Sequence, residues 1–242
     1  MEGLPMVVAS RYSLSEQVRN YILAKIARGK LAPGDRIVEA RIAEELKVSS
    51  IPVREAIREL IAKRILEYTV HKGARVRQVS MAETVDALHV KAVLEALATR
   101  LAGAKLKEQV PRLRGYVKPI IESALRHDYV EYQNQNQHFH GTIVQASGNQ
   151  ILVNLWDSLA FEVRTRFIMD YLQMVDAAEL AREHDDIVQA IEFGDTERGV
   201  ASLLLSHANG LVEHLKAQMA VNSEKTNRST LGDHNQGGRS VA

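Results

Sequence analysis

The apolar residues in the first quarter of the chain recur at helical spacing in three short segments. In residues 13–28 they repeat every three or four positions, and Gly29 follows, as a glycine often does after a helix. The same spacing recurs in residues 39–46 and 50–63, which only three residues separate. The pattern predicts three helices, of which the last two are joined by a tight turn.

The third of these segments has two different faces. Its apolar residues form one stripe, and Arg54 and Arg58 lie on the opposite side. Ser49 or Ser50 is placed to cap the helix, and Pro52 falls in the first turn, where a missing backbone donor costs little. A short helix that presents arginines after a tight turn is typical of a recognition helix in the major groove of DNA.

After residue 64 the sequence is rich in β-forming residues. Two such runs, Ile65–Val70 and Ala74–Val79, flank His71-Lys72-Gly73, and arginines alternate with valines in the second run. A glycine at this place supplies the positive φ that a tight hairpin requires. The pattern predicts a basic hairpin, which can serve as the wing of a winged helix and reach the DNA backbone or the minor groove.

From residue 80 onwards the pattern of apolar residues is helical. Ser80 and Glu83 have the spacing of a capping box and open a long helix. Pro119 is expected to bend or break the segment in which it lies. No convincing strand follows residue 79, and the further predicted helices span about 108–125, 128–147, 150–170, 176–193 and 196–219.

The sequence therefore predicts a mainly α fold with two domains. Residues 1–79 form an N-terminal winged helix-turn-helix with a small β-hairpin wing. Residues 80–220 form an all-α bundle of six or seven helices, whose core is a natural place for a ligand. Residues 221–242 are polar, contain paired glycines and are expected to be a disordered tail.

Charge separates the two domains as well. Residues 1–78 carry 15 Lys and Arg against nine Asp and Glu, whereas the remainder carries 16 against 21. A basic segment favours a polyanionic partner, because phosphate neutralisation dominates nucleic-acid affinity. The absence of cysteine excludes disulfides and thiolate metal sites. No apolar run is long enough to span a bilayer and the N-terminus lacks the pattern of a signal peptide, so a cytoplasmic location without membrane contact is expected.

Specific motifs support DNA binding. They read Gly29-x-Leu31-x-Pro33-Gly34-Asp35-Arg36 and Leu46-x-Val48-Ser49-x-x-Pro52-Val53-Arg54-Glu55-Ala56-Ile57. They resemble the GntR family of bacterial transcriptional regulators over residues 12–79, although Ser50 stands where the family commonly has arginine. The resemblance implies a homodimer that binds a palindromic operator in double-stranded DNA. The expected DNA contacts are Arg41, Ser49, Ser50, Arg54, Arg58, His71, Lys72 and Gly73.

Eight of the nine histidines lie in the second domain or its tail. Asn136 and His140 are four residues apart, so both project from one face of a helix, as a pair of metal ligands requires. His184 and His207 lie on later predicted helices. For any one of these histidines a hydrogen-bonded or surface imidazole is the simpler interpretation.

A second resemblance favours a metal site over separate surface or hydrogen-bonded histidines. It is carried by His138-Phe139-His140, Ala146-Ser147-Gly148-Asn149, Glu183-His184-x-x-Ile187 and His207. These motifs are similar to the C-terminal ligand-binding domain of the FadR subgroup of GntR regulators, over residues 80–218. The similarity implies that one Asp and three His hold a divalent metal, beside which small carboxylates bind. Because imidazole nitrogen is the main donor, Zn or Ni is expected. The histidines correspond to His140, His184 and His207, and the aspartate to Asn136, which removes one negative charge from the site.

The expected function is that of a DNA-binding repressor whose operator affinity is controlled by a small organic acid bound near the metal. Arg164 and Arg166 are expected to anchor the distal group of that acid. A metal-dependent hydrolytic enzyme is the alternative, since three histidines and an open coordination position also describe catalytic zinc. No His-Glu-x-x-His pattern occurs, and an enzyme needs no basic winged helix, so a non-enzyme is favoured. A regulator with a structural metal or an empty site is the third possibility.

Overall fold

The computed structural model of the chain describes residues 13–194 and 199–233, and these divide into two compact units. One unit holds the described residues up to 78 together with 160–163. The other holds residues 79–159 and the described residues from 164 onwards. The architecture is mainly helical, and the strands in the described residues form a single antiparallel hairpin. The predicted fold class is confirmed.

The first unit consists of three helices followed by the hairpin. Ser13 and Glu16 close a capping box at the start of the first helix. Lys47 adopts a left-handed conformation with φ of 52°, which ends the second helix and allows the third to begin at Ser50. The elements are α1 (Leu14–Ala27), α2 (Glu39–Leu46), α3 (Ser50–Ala62), β1 (Leu66–Thr69) and β2 (Gly73–Val76).

The hairpin has the predicted turn. Leu66 pairs with Val76 and Thr69 pairs with Gly73 in an antiparallel register. Gly73 has φ of +78°, which agrees with the glycine requirement inferred from the sequence. A bridge between Arg36 and Arg75 adds the segment before α2 to the edge of the hairpin.

The second unit is a helical bundle. The helices α7 and α10 pack on α6, and α11 packs along α4. Ser80 caps α4 by accepting a hydrogen bond from the Glu83 amide, as the sequence predicted. The helices are α4 (Met81–Ala102), α5 (Lys105–Glu108), α6 (Val110–Leu125), α7 (Tyr129–Ala146), α8 (Gln150–Asp157), α9 (Thr165–Leu172), α10 (Ala177–Phe193) and α11 (Gly199–Asp233).

One predicted helix of this bundle is interrupted, and one predicted helix break is absent. The helix expected over 150–170 is interrupted, because Ala160 takes a left-handed φ of 49° and a 3-10 turn, Phe161–Arg164, precedes α9. Pro119 lies inside α6 without ending it. The carbonyl of Gly115, which loses its helical partner, is at an exposed position where water can solvate it.

The last helix also differs from the expectation. It continues to Asp233, whereas the sequence placed the start of a disordered tail at residue 221. No proline follows residue 119, and the first glycine after Gly210 is Gly232, so nothing in the intervening residues breaks the helix. Residues 234–242 of the predicted tail lie outside the described residues. Among the helices that are described, none combines the length and hydrophobicity needed to cross a bilayer.

Candidate DNA-binding surface and candidate metal centre

The exposed face of α3 carries the side chains that the sequence assigned to DNA contact. Val53, on the opposite face, is fully buried and holds the helix in the core. Ser49 is the N-cap residue, but its side chain makes no capping hydrogen bond. Ser50, Arg54 and Arg58 are exposed. The Nε of Arg54 donates to the Oε2 of Glu39 at 2.8 Å, and this surface ion pair fixes the direction of the guanidinium.

The remaining predicted DNA contacts lie on α2 and on the hairpin turn. Arg41 is exposed and forms an ion pair with Glu45 at 3.1 Å. His71 and Lys72 are exposed at the turn, and Gly73 follows them. A groove of about 720 Å³ brings the recognition helix and the hairpin to one surface. Its lining includes Arg36, Arg54, Arg58, Tyr68 and Gly73.

Three histidines from three helices of the second unit converge. His140 lies on α7, His184 on α10 and His207 on α11, and their ligand atoms all lie within 4.8 Å of one another. The ring centroids are 4.7 to 5.6 Å apart. His140 and His184 are fully buried. The predicted grouping of these residues therefore has the proximity that a shared metal ion requires.

The hydrogen bonds of two of the rings leave a lone pair for a cation. The Nδ1 of His184 lies 3.1 Å from the carbonyl oxygen of Ala181, to which it can only donate. Its Nε2 is then unprotonated and lies 2.7 Å from the Oδ1 of Asn136. A cation that binds both side chains would stabilise this contact, as would the Asn136 amide N–H if it were turned toward Nε2. Asn136 thus stands beside His184, as the sequence comparison implied.

His207 has the support typical of a metal-bound imidazole. Its Nδ1 lies 2.6 Å from the Oε2 of Glu183. A histidine that donates one ring N–H to a carboxylate keeps its other nitrogen for the metal and binds it more strongly. Glu183, which was not predicted as part of the site, precedes His184 directly in the sequence. The sequence shows that Glu183 is next to a predicted metal ligand, but it does not show that the Glu183 carboxylate contacts His207.

His140 faces a buried carboxylate. Its Nδ1 lies 3.1 Å from the Oε2 of Glu95, and its Nε2 is buried without a hydrogen-bond partner among the described residues. Glu95 is 1% exposed and accepts hydrogen bonds from the indole of Trp156 at 2.9 Å and the ammonium of Lys91 at 2.7 Å. A fully buried ring nitrogen without a partner is an unusual feature that a bound cation would explain.

Burial sets the protonation of these groups. It lowers the pKa of His140 to about 4, although the charge of Glu95 opposes this. It also lowers the pKa of His184, with further lowering by His207 and His140. Burial would raise the pKa of Glu95, but His140 and Lys91 outweigh it and hold that pKa below the ordinary value. At neutral pH the buried imidazoles are uncharged, which is the form that binds metal.

The donor set fits a divalent transition metal. Imidazole nitrogen suits Zn²⁺ and Ni²⁺, and an amide oxygen is an acceptable neutral fourth ligand. The Nε2 of His140, which has no partner among the described residues, and the Nε2 of His184 beside Asn136 are both available to such an ion. The residues present therefore fit the metal that the resemblance implied.

The structure describes the side chain of only one of the two arginines that the sequence analysis assigned to effector binding. Arg164 is buried, and its guanidinium donates to the carboxylate of Glu83 at 3.1 Å and to the carbonyl oxygen of Leu159. The side chain of Arg166 lies outside the described part of the structure. His138 stacks on Tyr116 and His127 contacts Tyr129, so neither histidine belongs to the cluster.

The sequence analysis missed Lys91 and Glu95. They are four residues apart and fall within the buried face of α4, between Leu88 and Ala98. A pair of opposite charges inside an apolar stripe was the available signal. The contact of Glu95 with His140 could not be predicted, because it joins residues that are 45 positions apart on different helices.

Two protein-family models match the chain. Residues 14–76 match the model described as "Bacterial regulatory proteins, gntR family", and residues 86–210 match the FCD domain. A protein of Paenarthrobacter nicotinovorans described as "Probable D-xylose utilization operon transcriptional repressor" is 35% identical over 87% of this chain and 89% of its own length. The gluconate operon transcriptional repressor of Bacillus licheniformis is 25% identical over 80% of this chain and 82% of its own.

Solved structures agree on the fold. E. coli McbR/YncC superposes with a TM-score of 0.72 at 22% identity, covering 86% of this chain and 99% of that structure. A GntR regulator from Rhodococcus sp. RHA1 gives a TM-score of 0.66 at 20% identity, covering 85% and 99%. At these identities the likeness supports the arrangement of elements and carries nothing about ligands.

Proposed function

The chain belongs to the gntR family of bacterial regulatory proteins and carries an FCD domain, and from this membership we propose that it is a repressor controlled by a small organic acid bound at a metal. The transcriptional role follows from the family. The acid and the metal are the proposal, and its strongest support is the histidine cluster, in which the buried Nε2 of His140 has no partner among the described residues. The regulatory character of the relatives favours a protein without enzymatic activity.

The ion would be held by Asn136, His140, His184 and His207. When bound, it supplies a positive centre that a carboxylate can bind in place of water. Because all four ligands are neutral, they do not cancel the charge of the ion, which favours an anionic ligand. Glu95 and Glu183 orient two of the imidazoles, and Arg164 and Arg166 remain the proposed anchors for the distal end of the acid.

The acid binds in the second unit, whereas DNA binds to the first. It can change operator affinity only if its own affinity differs between two arrangements of the protein. A palindromic operator is bound by two winged helices, so these arrangements are those of a homodimer. A shift of about 1–3 kcal/mol in operator affinity is the usual size of such a coupling.

The surface proposed for dimerisation is an apolar stripe on α4. Val90, Leu94, Leu97 and Leu101 recur at intervals of four, three and four residues, the spacing of a coiled-coil seam. Val90 and Leu101 are each 48% exposed, so the stripe is not covered within one chain. Leu94 and Leu97 pack against the core formed with α8, where Ile151 and Leu155 are also exposed. A stripe of this kind is self-complementary, as a two-fold interface requires.

Substitution within the stripe tests this surface. Val93 is 62% exposed beside the seam, so Val93→Glu should convert a dimer to monomer in multi-angle light scattering and weaken operator binding. The matched control is Val70→Glu, since Val70 is 68% exposed on the first unit and should leave the mass unchanged. A dimer that persists in Val93→Glu would argue against the α4 surface.

The central proposal is tested with acids and a chelator. Di- and hydroxycarboxylates should raise the melting temperature of the metal-loaded protein and shift its affinity for its own promoter DNA, measured by fluorescence anisotropy. Removal of metal should abolish both effects. Stabilisation by an acid that is unchanged after complete metal removal would contradict the metal-anchored mechanism. Stabilisation by metal alone, with no response to any acid, would indicate a structural ion.

A further inference from the structure

The surface of α3 that faces away from the core carries an apolar side chain as well as arginines. Ile51 is 67% exposed, whereas Val53, Ile57 and Leu60 of the same helix are buried. An α-helix turns by roughly 100° per residue, so residues seven positions apart lie almost on one line along it. Ile51 and Arg58 have this separation and lie opposite the buried residues. The isoleucine is therefore at the centre of the exposed face.

Ile51 also lies in the first turn of α3, which begins at Ser50. In helix-turn-helix proteins the residues at the N-terminal end of the recognition helix contact base edges in the major groove. Ser50 and Arg54, which precede and follow Ile51 by one and three positions, are exposed and are proposed DNA contacts. A DNA duplex that both of them contact must also pass close to Ile51.

The local structure holds Ile51 in one place. Pro52 is buried and anchors the first turn of α3 to the core of the first unit, and its fixed φ suits the start of a helix. Isoleucine branches at Cβ, so in a helix it has one strongly preferred χ1 rotamer. Burial of this side chain therefore costs less conformational entropy than burial of a flexible lysine or arginine. Ile51 presents a rigid apolar surface to whatever binds the exposed face of α3.

The chemistry of isoleucine limits what it can recognise in DNA, because its side chain has no hydrogen-bond donor or acceptor. Guanine, adenine and cytosine present polar groups in the major groove, and contact with Ile51 would remove water from those groups without replacing their hydrogen bonds. Thymine presents a 5-methyl group there, and contact with Ile51 removes apolar surface on both sides from water. Ile51 is therefore complementary to one base of the four.

We propose that Ile51 determines specificity by contact with the 5-methyl group of a thymine in each half-site of the operator. This inference rests on the proposed function, because it takes α3 as the helix that enters the major groove. Arg54 lies about 4.5 Å further along the helix axis, and successive base pairs are about 3.4 Å apart. The thymine is therefore expected within about two base pairs of the base that Arg54 contacts.

The first experiment removes the methyl group from the DNA. The operator is located by footprinting with the full chain on its own promoter DNA. In a series of duplexes, one symmetry-related pair of thymines at a time is then replaced by uracil, which lacks the 5-methyl group but keeps the base pair and the O4 acceptor. Affinity is measured by fluorescence anisotropy at one fixed salt concentration. Replacement of one such pair should lower the affinity about fourfold for each half-site, the effect of one buried methyl group.

The second experiment shortens Ile51. Ile51→Ala should bind the thymine operator more weakly than the wild type and should bind the thymine and uracil duplexes equally. Ile51→Val keeps the branched Cβ and should keep part of the preference for thymine. Leu125→Ala is the matched control, since Leu125 is 61% exposed at the end of α6 in the second unit, and it should keep the full preference. Because Ile51 is exposed, its substitution should leave the melting temperature nearly unchanged.

Three results would overturn the proposal. In the first, the wild type binds its operator specifically but discriminates against uracil at no thymine pair. In the second, Ile51→Ala retains the full preference for thymine. In the third, Ile51→Ala changes the mass of the protein in light scattering, which would assign Ile51 to an interface between chains.

These results leave the proposed function intact, because each of them is compatible with specific DNA binding by the wild type. If the wild type binds its own promoter DNA no more tightly than unrelated DNA, the proposed function fails together with the role of Ile51.

Discussion

The two units of the chain differ in where they place their polar side chains, which lie at the surface in the first unit and partly in the interior in the second. Among the described residues of 13–79 the buried side chains are all apolar, and the arginines form ion pairs at the surface. In the second unit Lys91, Glu95, His140 and His184 are buried together with hydroxyl and amide groups. An outward arrangement suits a macromolecule that the protein meets at its surface. An inward arrangement suits a small ligand that the protein encloses.

The difference has an energetic consequence. An apolar core stabilises the winged helix without help from a ligand, because the burial of apolar surface lowers the free energy of the folded state by itself. Buried polar groups reduce stability unless each has a partner. Anything that supplies those partners, such as a metal or an acid, stabilises the second unit through its binding free energy. The predictions below test whether substitutions of buried polar groups in the second unit cost more stability than substitutions of surface groups in the first.

The largest expected effect comes from the buried ion pair. Glu95→Gln leaves the ammonium of Lys91 buried without its carboxylate, which should cost about 3–5 kcal/mol of unfolding free energy in urea denaturation. The double variant Lys91→Met, Glu95→Leu should recover most of that loss, since it removes both charges.

The corresponding substitution in the first unit is the comparison. Glu39→Gln breaks the surface pair with Arg54 and should cost no more than about 1 kcal/mol, because both partners stay solvated. Similar losses for Glu39→Gln and Glu95→Gln would contradict the contrast between the two units.

Loss of a metal ligand should have the next largest effect. His184→Ala removes a fully buried ligand and should weaken Zn²⁺ or Ni²⁺ binding by roughly a hundredfold or more, about 2.7 kcal/mol. Metal content after dialysis against a weak chelator measures it. His138→Ala, on the exposed side of α7, should keep the metal. Equal metal content in both variants would remove the cluster as a metal site.

Helix bounds and contacts between distant side chains differ in how well the sequence predicts them. The bounds of α2 were predicted correctly because its apolar spacing and the following turn are local signals. The proximity of His140, His184 and His207 was inferred only through the family resemblance, since three helices bring them together. The break at Ala160 was missed because no proline or glycine marks it.

The side chains that surround the histidine cluster were harder still to predict from the sequence. Trp156 donates to Glu95 across 61 residues of sequence, and neither residue has a spacing that suggests this bond. Burial and partners are properties of the packed bundle, so a single sequence reveals them only through exceptions in an apolar stripe.

Substitution of Arg54 should change DNA binding with little change in stability. Arg54→Ala should weaken operator binding by about 1–3 kcal/mol if the arginine contacts a guanine edge, measured by anisotropy at several salt concentrations. Metal content should stay the same, and the melting temperature should fall only slightly, because Arg54 is exposed and loses only a surface ion pair. Arg126→Ala, at the exposed end of α6, is the control and should bind DNA normally. An unaltered operator affinity in Arg54→Ala would take this residue out of the recognition surface.

The smallest expected effect on binding is a gain in metal affinity. Asn136→Asp places a carboxylate 2.7 Å from the ligand atom of His184, so the negative charge should tighten metal binding by roughly tenfold, about 1.4 kcal/mol. The same charge favours protonated His184, and a proton on that nitrogen competes with the metal. The gain should therefore grow as the pH rises, and competition titrations at acidic and neutral pH measure it. Asn134→Asp adds the same charge at an exposed position of α7 and should change little. If both variants gain equally, the effect is general electrostatics and Asn136 is not a ligand.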